Sequence, residues 1–108
     1  MLVSLREVAG AAQSAGVGLG AFNVIHLEHA TAFVRAAESA GRPVVLQVSE
    51  NAVRYHGALE PIGVAMLAVA RAAAVPVVVH LDHAEDLALI EQAVGLGFTS
   101  VMYDGSTL

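Results

Sequence analysis

The run Val75-Pro76-Val77-Val78-Val79-His80-Leu81-Asp82-His83 begins as an unbroken apolar strand and ends in ionisable side chains, Asp82 and His83 being adjacent. A strand with no polar position to turn towards water belongs inside a parallel sheet, covered on both faces. A carboxylate beside an imidazole at the carboxyl end of such a strand is where a metal or a proton-transfer step can be housed.

The 108 residues allow one domain at most. They are 56% hydrophobic with a mean hydropathy of +0.68, rich in Ala and Val and poor in aromatics. That composition reads as strands buried on both faces and packed against Ala-rich helices. No run reaches the ~18 apolar residues that a membrane span needs. The start, Met1 to Glu7, lacks the charged-then-apolar layout of a signal peptide. Ser4 followed by Glu7 reads instead as a helix capping box. There is no Cys, which excludes disulfides, thiolate catalysis and Cys-ligated zinc and makes a cytoplasmic location the default expectation. A net charge of −5 and scattered arginines argue against a general nucleic-acid binder.

Taken in order, Ser4 to Ala15 reads as a first helix, and Gly18 to Val24 as a strand. Leu27 to Ala40 is a second helix, with Ala30, Val34 and Ala37 as its apolar stripe. Gly41 stops it, and a strand from Pro43 to Ser49 follows. Glu50 to Pro61 reads as a loop. Ile62, Ala65, Met66, Val69 and Ala73 mark a third helix, and Val77 to Asp82 the third strand. Helix four spans Glu85 to Val94 with Leu87, Ile90 and Val94 inward, and Phe98 to Asp104 is a fourth strand. Strands alternating with helices imply parallel pairing. A self-contained doubly wound sheet is one outcome; part of a (β/α)8 barrel, which needs about 250 residues, is the other.

In either architecture the carboxyl ends of the strands line one rim, where ligands bind. Each strand here ends in polar residues: Asn23, then Gln47 and Ser49, then His80 and Asp82, then Asp104. Alternation puts Gln47 with Ser49, and His80 with Asp82, on shared faces. The competing reading of Asp82 is a helix cap, with Glu85 and Asp86 in the first turn of helix four. His26 and His29 lack the HExxH spacing and an evident third metal ligand. His56, in a polar loop, reads as solvated. Gly18 and Gly20 precede the strand's end, so they are not a dinucleotide fingerprint.

Gly20-Ala21-Phe22-Asn23-Val24, Pro43 to Ser49, Val75 to His83 and Gly97 to Ser106 closely resemble the amino-terminal part of class II, metal-dependent ketose-bisphosphate aldolases, the fructose- and tagatose-bisphosphate enzymes. The resemblance covers the whole chain. It implies the amino-terminal half of a (β/α)8 TIM barrel with a leading helix and four parallel strands, at about 18–24, 43–49, 76–82 and 99–104, as a single partial domain over 1–108. It implies reversible cleavage of a ketohexose bisphosphate to dihydroxyacetone phosphate and glyceraldehyde 3-phosphate. A divalent metal, usually zinc, would stabilise the enediolate as a Lewis acid. By the motif match His83 is a zinc ligand, Asp82 the acid/base at the cleaved bond, and Asn23 and Ser49 contact substrate. Asp104 matches a carboxylate near the metal.

Two positions depart from the family pattern: Ile25-His26 stand where a pair of Asn is common, and Arg54 stands where Lys is frequent. The family's other zinc histidines, its loop glutamate and its phosphate-binding loops are not found in these residues. A catalytic zinc needs about three protein ligands, so the 108 residues alone are expected to be inactive. The first and fourth strands would be open edges and the barrel-facing side uncovered, which predicts self-association or a missing carboxyl-terminal half as partner. A small flavodoxin-like or receiver-like binding domain is the alternative. A receiver wants acids after its first strand and a lysine after its last, and this chain has Asn23 there and no Lys. A non-catalytic half-barrel acting as an assembly partner is a third reading.

Overall fold

The computed structural model describes residues 1–108. The elements run α1 (Leu5–Ala15), β1 (Ala21–Asn23), α2 (Leu27–Ala40), β2 (Val44–Ser49), α3 (Glu50–His56), α4 (Glu60–Ala72), β3 (Val77–Ala84), α5 (Leu87–Leu96) and β4 (Ser100–Tyr103). The four strands form one parallel sheet in the order β1-β2-β3-β4. Helix α1 begins where its sequence says it should: the Ser4 hydroxyl accepts the Glu7 amide at 3.3 Å. Helices α1 and α2 both end on a left-handed glycine, Gly16 and Gly41, whose amides close the last turn.

The sheet carries two apolar layers of unequal size. Val44, Leu46 and Val48 of β2 and Val77, Val79 and Leu81 of β3 point towards α2 and α4, where they meet Val34, Met66 and Leu67. Leu46, Met66 and Leu67 are fully buried. Each contributes on the order of 1.5–3 kcal/mol relative to exposure. On the opposite face Val45 and Val78 pack against Val8 of α1. That face is therefore capped at its lower end by the leading helix, where an uncovered face was expected. Above this cap the side chains turn polar. Asn23, Gln47, His80 and Ser100 stand in register as one row across all four strands.

Several boundaries differ from the sequence reading. The segment read as a loop from Glu50 to Pro61 holds helix α3, capped by Ser49, and the start of α4, which begins two residues before Ile62. Apolar spacing could not reveal α3, because a seven-residue helix shows less than two full turns of pattern. Strand β1 is three residues long, shorter than the expected Gly18–Val24. Strand β3 runs past Asp82 to Ala84. Helix α5 starts at Leu87 with Asp86 as its cap, so Asp82 is not a helix cap. On α5 the buried positions are Leu89 and Ala93. Leu87 and Val94, expected inward, are 62% and 58% exposed. Ile90, the third residue expected inward, is half-buried and does pack against the core.

Strands β1 and β4 each pair on one side only. Phe22 on the first and Val101, Met102 and Tyr103 on the last remain exposed. No helix is long and apolar enough to cross a membrane.

Candidate functional site

The geometry at the end of β3 depends on one extra residue. Leu81 pairs with Val101 and Ala84 with Tyr103, so Asp82 and His83 together oppose Met102. This is a β-bulge, a device that re-aims a side chain. Leu81 and Ala84 both stay in the helix-side core. Asp82 stays on the inner face with His80. His83 is the residue inserted between the two frames. Its φ of 94° makes it the one non-glycine residue with positive φ. Such a conformation costs on the order of 1–3 kcal/mol and persists only when its surroundings enforce it.

Those surroundings are specific. His83 Nδ1 lies 2.8 Å from Asp104 Oδ2. The Asp104 amide donates to the Ala84 carbonyl at 2.8 Å, which extends the ladder past the bulge. The other Asp104 oxygen accepts the Ser106 amide at 3.0 Å. The hydrogen bonds from Ser106 and then the neighbouring imidazole hold the Asp104 carboxyl below its usual range. An ionised carboxylate only accepts, so His83 donates from Nδ1, and Nε2 is the ring nitrogen not engaged by Asp104. A metal-ligating histidine is commonly oriented in this way by a carboxylate on its other nitrogen.

Asp82 is held differently. His80 Nε2 lies 3.2 Å from Asp82 Oδ1, and His80 Nδ1 lies 2.7 Å from Ser100 Oγ. Ser100, His80 and Asp82 thus form a chain along the inner face, which fixes the direction of the Asp82 carboxylate. Asp82 and His83, adjacent in sequence, end with different partners.

The polar groups line a cavity of about 400 Å³ with no hydrophobic residue in its wall. Ser49, Asp82, His83 and Asp104 line it, so the structure brings together four of the five residues named from the sequence. Asn23 is apart from them on β1, where its Oδ1 accepts the Gln47 amide at 2.6 Å. Ser49 has a second task as the cap of α3, its hydroxyl accepting the Ala52 amide at 3.1 Å. Glu50, Asn51, Arg54 and Glu85 complete the lining. Sequence reasoning gave none of these four a place in the site. The signal was there in the i,i+4 spacing of Glu50 and Arg54, whose ion pair measures 3.6 Å. No group of three His, Asp or Glu side chains is arranged to hold a metal ion. His83, with Asp104 behind it, fits one corner of such a site.

His29 and His56 lie outside this lining and bond backbone groups near the start of α2. His29 Nδ1 accepts the amides of Ile25 and His26 at 3.3 and 3.1 Å, closing the start of α2. His56, expected in solvent, is half-buried and bonds the Ile25 carbonyl. An apolar hollow of about 500 Å³ lies at the opposite end of the strands, beside α1, with Val3, Val8, Pro43 and Pro76 in its wall.

Because Ser49 both lines the cavity and caps α3, Ser49→Ala is expected to destabilise the protein by about 0.5–2 kcal/mol, read from the midpoint of urea unfolding.

Comparison with known proteins follows the same lines. The family model described as "Fructose-bisphosphate aldolase class-II" matches residues 3–108. The chain is 42% identical over 106 residues to a fructose-bisphosphate aldolase of Thermus caldophilus, covering 98% of this chain and 34% of that protein. It is 40% identical over 93 residues to a sulfofructosephosphate aldolase of Alkalicoccus urumqiensis, covering 86% of this chain and 32% of that one. The crystal structure of the YdjI aldolase from Escherichia coli superposes with a TM-score of 0.91 at 29% identity, over 100% of this chain and 42% of that chain. The chain spans about a third of the length of the curated relatives it matches. The four parallel strands and the helices between them are thus the amino-terminal part of a TIM-barrel aldolase fold, and the chain belongs to the class II fructose-bisphosphate aldolase family.

Proposed function

We propose that residues 1–108 form a single partial domain, the amino-terminal half-barrel of a metal-dependent aldolase. Its reaction is the reversible cleavage of a ketohexose 1,6-bisphosphate, fructose or tagatose, to dihydroxyacetone phosphate and glyceraldehyde 3-phosphate. The observation that carries this reading is the division of labour at the β3 bulge, where Asp82 turns to His80 and His83 turns to Asp104. A proton-transfer group and a ligand are thereby neighbours that do not compete for the same partner.

In cleavage, Asp82 takes the proton from the hydroxyl at the bond to be broken. That oxygen becomes the aldehyde carbonyl as the carbon–carbon bond breaks. The bonding pair moves into the carbonyl of the dihydroxyacetone phosphate part. Condensation reverses these steps, with Asp82 returning the proton. His80, itself held by Ser100, keeps the Asp82 carboxylate aimed at the hydroxyl. A divalent metal, zinc in the first instance, held in part by His83 Nε2, would supply the Lewis acid that accepts the developing charge. Asp104 serves as the carboxylate that orients His83, a supporting role in preference to direct ligation. Ser49 still has its hydroxyl proton, and Asn23 its amide protons, to donate to substrate oxygens.

The two matched relatives named above carry different sugars in their names. The shared residues therefore support a phosphorylated ketose as the substrate class. Bisphosphorylated sugars do not diffuse through membranes, so a cytoplasmic setting belongs to the same reading.

Asp82→Asn is expected to abolish carbon–carbon cleavage in the protein that carries this chain while zinc content stays at the wild-type level. Equal loss of metal and activity counts against the assignment. His83→Ala is expected to lose the metal outright, measured by elemental analysis after dialysis; unchanged zinc content sinks it. Expressed as 108 residues alone, the chain is expected to be inactive and to associate through its open strand edges. A stable monomer in sedimentation at micromolar concentration refutes the association.

A further inference from the structure

Glu50 is 9% exposed, the one charged side chain buried in this chain. It is the first residue of α3, directly after Ser49. Its Oε2 accepts the amide of Glu85 at 3.1 Å, across 35 residues of sequence. Arg54 approaches the same oxygen at 3.6 Å from the solvent side. The carboxylate therefore ties the start of α3 to the turn that leaves β3, and it does so from within the wall of the polar cavity.

The turn needs such a tie. Beyond the bulge the Ala84 carbonyl is taken by the Asp104 amide, and Ala84 itself is fully buried. The next amide, that of Glu85, has no strand partner and meets Glu50 instead. Two contacts hold the bulge from the β4 side: Asp104 amide to Ala84 carbonyl, and His83 to Asp104. On the β2 side the ladder reaches as far as the Ser49–Asp82 pair, and the Glu50 bond is the tie beyond it. With His83 at a φ of 94°, both sides must be fixed for the imidazole to stay over the cavity.

We infer that Glu50 is a positioning residue for the site: as a hydrogen-bond acceptor, it anchors the β3–α5 turn and thereby aims His83. The inference rests on the reading of His83 as a metal ligand, and its first two measurements are independent of that reading. The charge of Glu50 also suits the start of α3, so the acceptor role and the charge role must be separated. Glu50→Gln keeps an acceptor oxygen and removes the charge; Glu50→Ala removes both.

In the protein that carries this chain, the experiment follows Glu85 amide exchange and the His83 ring proton shift by NMR in the metal-free state, and zinc affinity by competition with a chelator. In Glu50→Ala, Glu85 exchange is expected to quicken about tenfold. The His83 shift is expected to move with it, and zinc affinity to fall about tenfold, while Glu50→Gln stays within about threefold of wild type. If Glu50→Ala loses helix content by circular dichroism, Glu50→Asp, which draws the carboxylate back by one methylene, takes its place with the same expected changes. Glu85 exchange that quickens while the His83 shift stays fixed overturns the positioning role. A Glu50→Gln variant as impaired as Glu50→Ala overturns the acceptor role. If wild-type protein binds no zinc while both NMR readouts respond as expected, the aldolase reading falls and the positioning role of Glu50 stands.

Discussion

A strand pair buried on both faces cannot shed polar side chains to water along its length. That constraint governs β2 and β3, whose valines and leucines fill the layer under α2 and α4 while Val45 and Val78 lie beneath α1. Polar groups are admissible only where the apolar cover ends, at the carboxyl end of the inner face. There each polar group must meet another, because unpaired burial is costly. Gln47 meets Asn23, and His80 meets both Ser100 and Asp82. No buried side-chain nitrogen or oxygen is left without a partner. The polar row across the four strands begins where the core's claim on the inner face of β2 and β3 ends.

The order of strands, their parallel pairing and the leading helix were legible because each rests on composition and punctuation that survive at short range. Val77-Val78-Val79 has no solvent-facing position, and Gly16 and Gly41 sit where helices end. The grouping of Ser49, Asp82, His83 and Asp104 was legible because parallel strands share one rim. Helix α3 was not, since its cap is a residue already read as a strand end and its length is too small for periodicity to register. On α5 Ile90 was read correctly as inward, and Leu87 and Val94 were misread for a related reason. Leu87 and Val94 follow a helical spacing as well as Leu89 and Ala93 do, and spacing alone does not say which stripe meets the sheet. The bulge has no sequence signature at all. A histidine carries no mark that it will adopt a positive φ, and here the contacts on either side of the bulge come from Asp104 and Glu50, both distant in sequence.

The sheet is finished in its middle and unfinished at its margins. Strands β2 and β3 have neighbours on both sides, and β1 and β4 do not. The exposed apolar side chains follow the same division, with Phe22 at one margin and Val101, Met102 and Tyr103 at the other. The cavity inherits it too. Its walls come from the end of β2, the start of α3, the end of β3 and the residue after β4, and none from β1.

The bulge also changes how β3 should be read against its relatives. Along a regular strand, tolerance to substitution alternates with a period of two, and two strands can be aligned by phase. Here the phase is reset at His83: Leu81 and Ala84 face the same core although two residues lie between them, where regular alternation would place one or three. An alignment that favours unbroken alternation would treat position 83 as an insertion and place a gap there. It would discard the imidazole as noise, when the broken rhythm is itself the mark of where the strand stops serving the core and starts serving the cavity.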